Sequence, residues 1–168
     1  MTRSIWTISI SSTMEDDPDL RSVHAEIRSF VLFRNFTQRS VDIYWVNYSS
    51  KFIHYSALEP TAQVAVNTYV THPWVFIDKM TGERMMVNHE PVYYPVPWYN
   101  NIDASGKLGR TNVQIHFPLR SLRDICAWKI IASLRDKESF VQLELPKVLL
   151  EDLRACYNLF LANTKLTK

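Results

Sequence analysis

The stretch Thr111-Asn112-Val113-Gln114-Ile115-His116-Phe117-Pro118-Leu119-Arg120-Ser121-Leu122-Arg123-Asp124-Ile125-Cys126-Ala127-Trp128-Lys129-Ile130 changes its period in the middle. Up to Phe117 apolar residues fall at every second position, as in a strand with one buried face. Pro118 has no N–H to give to a ladder and ends that strand. From Leu119 the spacing is helical. Ser121 is suited to accept a hydrogen bond from the first turn, and Asp124 stands where a capping-box acid reaches back. Leu122, Ile125, Cys126 and Ile130 then form one stripe. The small Cys126, four residues after Leu122, makes a ledge that a partner's side chain could enter. On these residues alone an ordinary core stripe under a cap is the better reading.

Upstream of this boundary the signals are β. Phe30-Val31-Leu32-Phe33 is rich in strand formers. Val41, Ile43 and Trp45 alternate with Asp42, Tyr44 and Val46. Ala62 to Tyr69 alternates again, with Val64 and Val66 facing one way and Asn67 and Tyr69 the other. Trp74-Val75-Phe76-Ile77, the turn Asp78 to Gly82, and Arg84 to Val87 predict a hairpin. Val92 to Tyr94 predicts a further short strand, and Pro95 to Gly109 a loop. Short, frequent strands suggest an antiparallel sandwich over 21–117. Residues 1–20, acidic and turn-like at Met14 to Asp19, read as a loose tail.

Downstream, 118–168 reads as helical. One helix runs from about Leu122 to Leu134, a polar break covers Arg135 to Ser139, a short segment spans Phe140 to Gln142, and a last helix starts at Pro146. The fold class is therefore α+β: an N-terminal antiparallel β-sandwich followed by a small C-terminal helical domain. A helical unit of about 50 residues is small for a self-sufficient core, so it either packs on the sandwich or takes a partner.

Composition narrows the function classes. The 168 residues are 46% hydrophobic and 21% charged, a globular balance. A net charge of +2 without a basic cluster argues against nucleic acid. No apolar run reaches membrane-spanning length, and Met1 to Ile10 lacks the basic and long apolar parts of a signal peptide. The only cysteines, Cys126 and Cys156, look reduced and intracellular. No metal-ligand spacing, phosphate loop, carboxylate pair or HExxH motif is present, so neither cofactor nor catalysis is expected. A Cys126–His116 nucleophile pair is the enzyme alternative, but that cysteine falls on an apolar stripe.

Several segments occur together in order: Phe33-x-Asn35-x-Thr37, Trp45-Val46-Asn47, Tyr55, Leu58-x-Pro60, Thr68-Tyr69, His72-x-Trp74-x-Phe76-x-Asp78 and Leu119-x-x-Leu122-x-x-x-Cys126. From Leu20 onward this pattern resembles the von Hippel–Lindau (VHL) family of substrate receptors for cullin-RING ubiquitin ligases. The resemblance implies a β domain that binds a peptide of hypoxia-inducible factor α carrying 4-hydroxyproline. The positions it implies for that site are Trp45, Tyr55, Asn67, Thr68, Tyr69, His72 and Trp74. Trp45, Tyr69 and Trp74 can wall a slot for a pyrrolidine ring. Thr68 and His72 can bond its hydroxyl. The family's usual Ser and His stand here as Thr68 and Asn67.

For the helical part the resemblance implies docking of elongin C, with elongin B, through Leu119, Leu122, Ile125, Cys126 and Ile130. Leu145, Pro146, Leu149, Asp152 and Leu153 look like a docking box for a cullin-2-type scaffold with its RING subunit. Cytoplasmic and nuclear localisation follows from the same resemblance. Trp45, Trp74 and Phe76 taken singly suit a sandwich core just as well, and a stand-alone β-sandwich interaction module is the rival function.

Overall fold

The computed structural model describes residues 20–165, without the side chains of 137–138, 159 and 162–165. Six strands come first: β1 (Arg28–Asn35), β2 (Val41–Val46), β3 (Phe52–Leu58), β4 (Gln63–Tyr69), β5 (Trp74–Asp78) and β6 (Thr111–Ile115). Two helices follow, α1 (Leu122–Ser133) and α2 (Lys147–Lys165), with a 3-10 turn at Lys137–Gln142 between them. The strands form two three-stranded sheets, ordered β4-β1-β6 and β3-β2-β5. Val31, Phe33, Val66, Val113 and Ile115 of the first sheet pack on Val41, Ile43, Leu58, Trp74 and Phe76 of the second. Phe33 lies at the centre, with Trp74, Phe76 and Tyr93 rings 5.0–5.8 Å away. This is a β-sandwich followed by a small helical part.

The pairing is not wholly antiparallel. β6 runs parallel to β1, with Val31 beside Thr111 and Asn35 beside Ile115. The long connection after β5 carries the chain back across the sandwich, which allows a parallel return where a tight turn would not. The segment expected to answer β5 as a hairpin strand switches sheets instead. Arg84 bridges Ile77 of β5, and two residues later Met86 bridges His116 just beyond β6. Val92 to Tyr94 likewise contributes one bridge, Tyr93 to Trp74, rather than a strand. β3 had no periodic signal because most of its residues face solvent. β2 is buried on both faces: Tyr44 and Val46 pack under Leu20, Phe52 and Val92. The tail expected over 1–20 lies outside the described residues except Leu20, which is buried at 3% exposure.

Some of the recurrent polar residues are structural. Asn35 is buried, and its Nδ2 donates to the carbonyls of Arg39, Leu58 and Glu59 while Oδ1 accepts from Thr37 N–H and Oγ1. Asp78 Oδ1 accepts from the N–H groups of Met80 and Thr81, and Arg39 pairs with its other oxygen at 3.2 Å. Each closes a turn whose backbone would otherwise be buried unpaired.

The helical part has its own small core of Ala127, Trp128, Ile131, Phe140, Leu153 and Cys156. Ser121 caps α1 as a full capping box with Asp124. Pro146 sits one position before α2, and its carbonyl accepts from Leu149 and Leu150, so it is the capping residue and not the first helical one. Arg120 ties the two parts together: it pairs with the buried Glu83 and lies 5.1 Å over the Trp128 ring.

Candidate functional site

At one end of the sandwich, the C-terminal ends of β2 and β4 meet the start of β5. A tight turn in which His72 N–H bonds the Tyr69 carbonyl folds His72 back beside Tyr69. Trp45 and Trp74 are cross-strand partners on β2 and β5. Around them the rings close in. Trp45 stacks on His72 with centroids 5.2 Å apart, Tyr69 lies 5.1 Å from His72, and Tyr55 stands edge-on to Trp74 at 5.3 Å. Tyr55 reaches this position because β3 bulges there: Ile43 pairs with Ser56, but Tyr44 pairs with His54, leaving Tyr55 as the extra residue. A bulge re-aims the side chain that it frees, and Tyr55 is half exposed.

The polar tips are as ordered as the rings. Trp74 Nε1 donates to Thr68 Oγ1 at 3.1 Å. Thr68 is 4% exposed, and with that lone pair occupied its own O–H is left to donate. Trp45 Nε1 donates to Ser22 Oγ, which in turn donates to the Val46 carbonyl. Both indoles therefore present faces rather than N–H groups. His72 is 7% exposed. Burial pushes its imidazole below the usual range, partly opposed by the neighbouring His24 backbone. Thr71 Oγ1 donates to the His24 carbonyl at 2.6 Å and fixes this segment against the turn. Tyr48, Ser22 and His24 went unseen in the sequence, because nothing local ties them to residues 20–50 positions away.

Asn67 does not share the cleft. It follows the period-2 rule and faces the opposite side of β4 from Thr68, where Arg110 Nη2 donates to its Oδ1 at 2.9 Å. Among the described residues β4 is an outer strand of its sheet, with one side of its backbone not paired to another strand. The cleft thus opens beside an edge that an extended peptide can pair with.

The helical part leaves a different surface. Leu119 and Leu122 are 87% and 76% exposed, and Ile125 and Cys126 are exposed beside them. Ile130 turns partly into the helical core. On α2, Leu149 is exposed, while Leu153 is buried in the core and Leu145 packs against it. Asp152 pairs with Arg123 of α1. His116 lies against Phe36 and Gln114, and Cys126 sits on the apolar face, so neither has the setting of an activated nucleophile. Among the described residues no cluster of His, Cys, Asp and Glu could hold a metal ion, and no helix is long and apolar enough to cross a membrane.

Comparison with known proteins agrees with this geometry. Residues 20–101 match the family model of the VHL beta domain. The chain is 39% identical over 109 residues to Protein Vhl of Drosophila melanogaster, a match covering 62% of this chain and 61% of that protein. It therefore spans about three-fifths of the length of that curated relative. The matched segment begins at Leu20, contains β1 to β5, and includes every residue of the aromatic cleft. Residues 20–101 of the sandwich thus match the VHL beta domain, and both comparisons support a VHL-family protein.

Proposed function

We propose that this chain is the substrate-recognition subunit of an elongin B/C–cullin–RING ubiquitin ligase, acting in the cytoplasm and nucleus. Its β domain binds a peptide of hypoxia-inducible factor α that carries 4-hydroxyproline, and other subunits transfer ubiquitin to the held substrate. The observation that carries the reading is the Thr68 hydroxyl. It is buried, oriented by Trp74, and surrounded by rings that suit a pyrrolidine. With hydroxyproline in the cleft, that donor gains an acceptor. With plain proline it is stripped of water and left unpaired, at about 1–3 kcal/mol. A site built around a ligand hydroxyl can reject the analogue lacking it by roughly 10⁴-fold.

The exposed face of α1 supports the second half. Among the described residues Leu119, Leu122, Ile125 and Cys126 are exposed apolar groups outside the helical core, and Leu122 over the small Cys126 fits an anchor-and-ledge contact with elongin C. Leu149 and Pro146 offer a smaller exposed patch for a cullin, with Leu145, Asp152 and Leu153 supporting it from within. A stand-alone interaction module would leave the α1 face unexplained.

The test is a calorimetric titration of the chain and its Thr68→Ala variant with matched peptides carrying proline or 4-hydroxyproline. The reading predicts that the variant stays folded and loses the preference. A variant that discriminates as well as the parent chain would remove Thr68 from the site.

A further inference from the structure

The side of the β4-β1-β6 sheet that faces away from the core is cationic. Val31, Phe33, Val66 and Val113 point into the core, so the residues between them on each strand point outward. That outer side carries Arg28 and Arg34 of β1 and Arg110 just before β6, and none of the three strands contains an aspartate or glutamate. Among the described residues none of these arginines pairs with a carboxylate. Arg110 carries its charge across the sheet. Its guanidinium lies 5.8 Å over the Phe30 ring of β1 and ends at β4. Nη1 donates to the Val31 and Val66 carbonyls at 3.3 and 3.0 Å, and Nη2 donates to Asn67 Oδ1 at 2.9 Å. A guanidinium has five N–H groups and only donates. Among the described residues part of that donor set is therefore unused, and the Asn67 amide must turn its oxygen to Arg110 and its NH₂ group outward. Phe30, Asn67, Leu108, Gly109 and Arg110 line an open pocket at this place.

The pocket adjoins the β4 edge along which the peptide of the proposed function would lie. A strand added to β4 keeps the alternation of the sheet: side chains beside Thr68 share its face, and those beside Asn67 share the other. A peptide with its hydroxyproline at Thr68 therefore turns the side chains one and three positions away to the Arg110 side. We propose that Arg110 and Asn67 form a second subsite of the peptide groove, which takes the carboxylate of an aspartate or glutamate at one of those positions. The spare guanidinium N–H groups and Asn67 Nδ2 supply the donors, and the ion pair neutralises a cation that the sheet leaves uncompensated. Phe30 keeps the guanidinium in place beneath it. The inference rests on the hydroxyproline reading and deepens it: the substrate class is an extended peptide read on both faces, by its hydroxyl on one and by a negative charge on the other.

The experiment titrates the full chain with 4-hydroxyproline peptides that carry one glutamate, or glutamine as its neutral match, one or three residues before or after the hydroxyproline. The expected result is that glutamate at one of these positions binds about three- to fivefold more tightly than glutamine, the worth of an exposed but oriented ion pair. That advantage should shrink as salt rises from about 50 to about 500 mM. Arg110→Gln should erase it. Asn67→Asp should erase it too, because it gives Arg110 a carboxylate within the chain and keeps the bonds to Val31 and Val66. Should Arg110→Gln melt early, Asn67→Asp decides alone. A hydroxyproline preference with no glutamate advantage at any position, or with an advantage that survives Asn67→Asp, overturns the inference alone. A parent chain that binds the proline and hydroxyproline peptides alike overturns the hydroxyproline reading, and the inference with it.

Discussion

Phe33 in the sandwich and Leu122 on α1 are both large apolar residues, yet Phe33 is 0% exposed and Leu122 is 76% exposed. The contrast extends to their surroundings. In the sandwich, thirteen buried residues from both sheets and the connecting segments close one core, and the groups left at its rim are aromatic edges and a few oriented hydroxyls. In the helical part, six buried residues among those described close a core, and an apolar face stays outside it. The lesson concerns two kinds of recognition. On the proposed function, the cleft would select by a hydrogen bond that is either made or missing, whereas the helix face would gain by removing apolar area from water. Both demand a stable frame, and Arg120, between Glu83 and Trp128, joins one frame to the other.

The sharpest break of this comparison is a pair of truncations. Phe33→Ala should destabilise the isolated chain by about 3–5 kcal/mol, because it empties the space between Trp74, Phe76 and Tyr93. Leu122→Ala should change stability by no more than about 0.5 kcal/mol, as surface substitutions do. Chemical denaturation of both variants measures this, and comparable losses would mean that the α1 face is core after all. Next in size, Leu122→Glu should abolish co-purification with elongins B and C, a loss of about 2 kcal/mol or more at a central anchor, with peptide affinity unaltered. Retained co-purification would move the docking surface elsewhere.

A smaller, purely chemical readout separates the two cysteines. Burial pushes the Cys156 thiol up to about 12, so at pH 8 only about one molecule in 10⁴ carries the reactive thiolate. Cys126 lies exposed on the apolar face of α1. Iodoacetamide should label Cys126 alone in the native chain, both residues after denaturation, and neither in the complex with elongin C. Mass spectrometry of the labelled peptides decides this, and prompt labelling of Cys156 in the native chain would show an open helical core.

Much of this organisation was legible before any coordinates. The switch of period at Pro118 and the Ser121–Asp124 box stand as the spacing predicts, because both are local features. β1, β2, β4, β5 and β6 follow from their β-branched and aromatic runs. What stayed hidden depends on contacts distant in sequence. β3 is an outer strand with little apolar alternation, the parallel pairing of β1 with β6 is set by a long connection, and the bulge that aims Tyr55 is a register event between two strands. The resemblance pointed to Trp45, Tyr55, Asn67, Thr68, Tyr69, His72 and Trp74, of which all but Asn67 stand around the cleft, whereas Tyr48 and Ser22 join it only through the fold. The helical stripe was ambiguous for a physical reason. Spacing places Leu122, Ile125, Cys126 and Ile130 on one side of a helix but cannot say whether that side meets α2 or water, and here only Ile130 packs partly inward.

The measurement that bears most directly on the account is a titration of the chain co-expressed with elongins B and C, using one peptide synthesised with proline and with 4-hydroxyproline. The account predicts a soluble ternary complex that binds the hydroxylated peptide strongly and the plain one weakly or not at all. A soluble complex that binds both peptides alike would contradict it, leaving the helix face as a docking surface and the aromatic cleft with a different ligand.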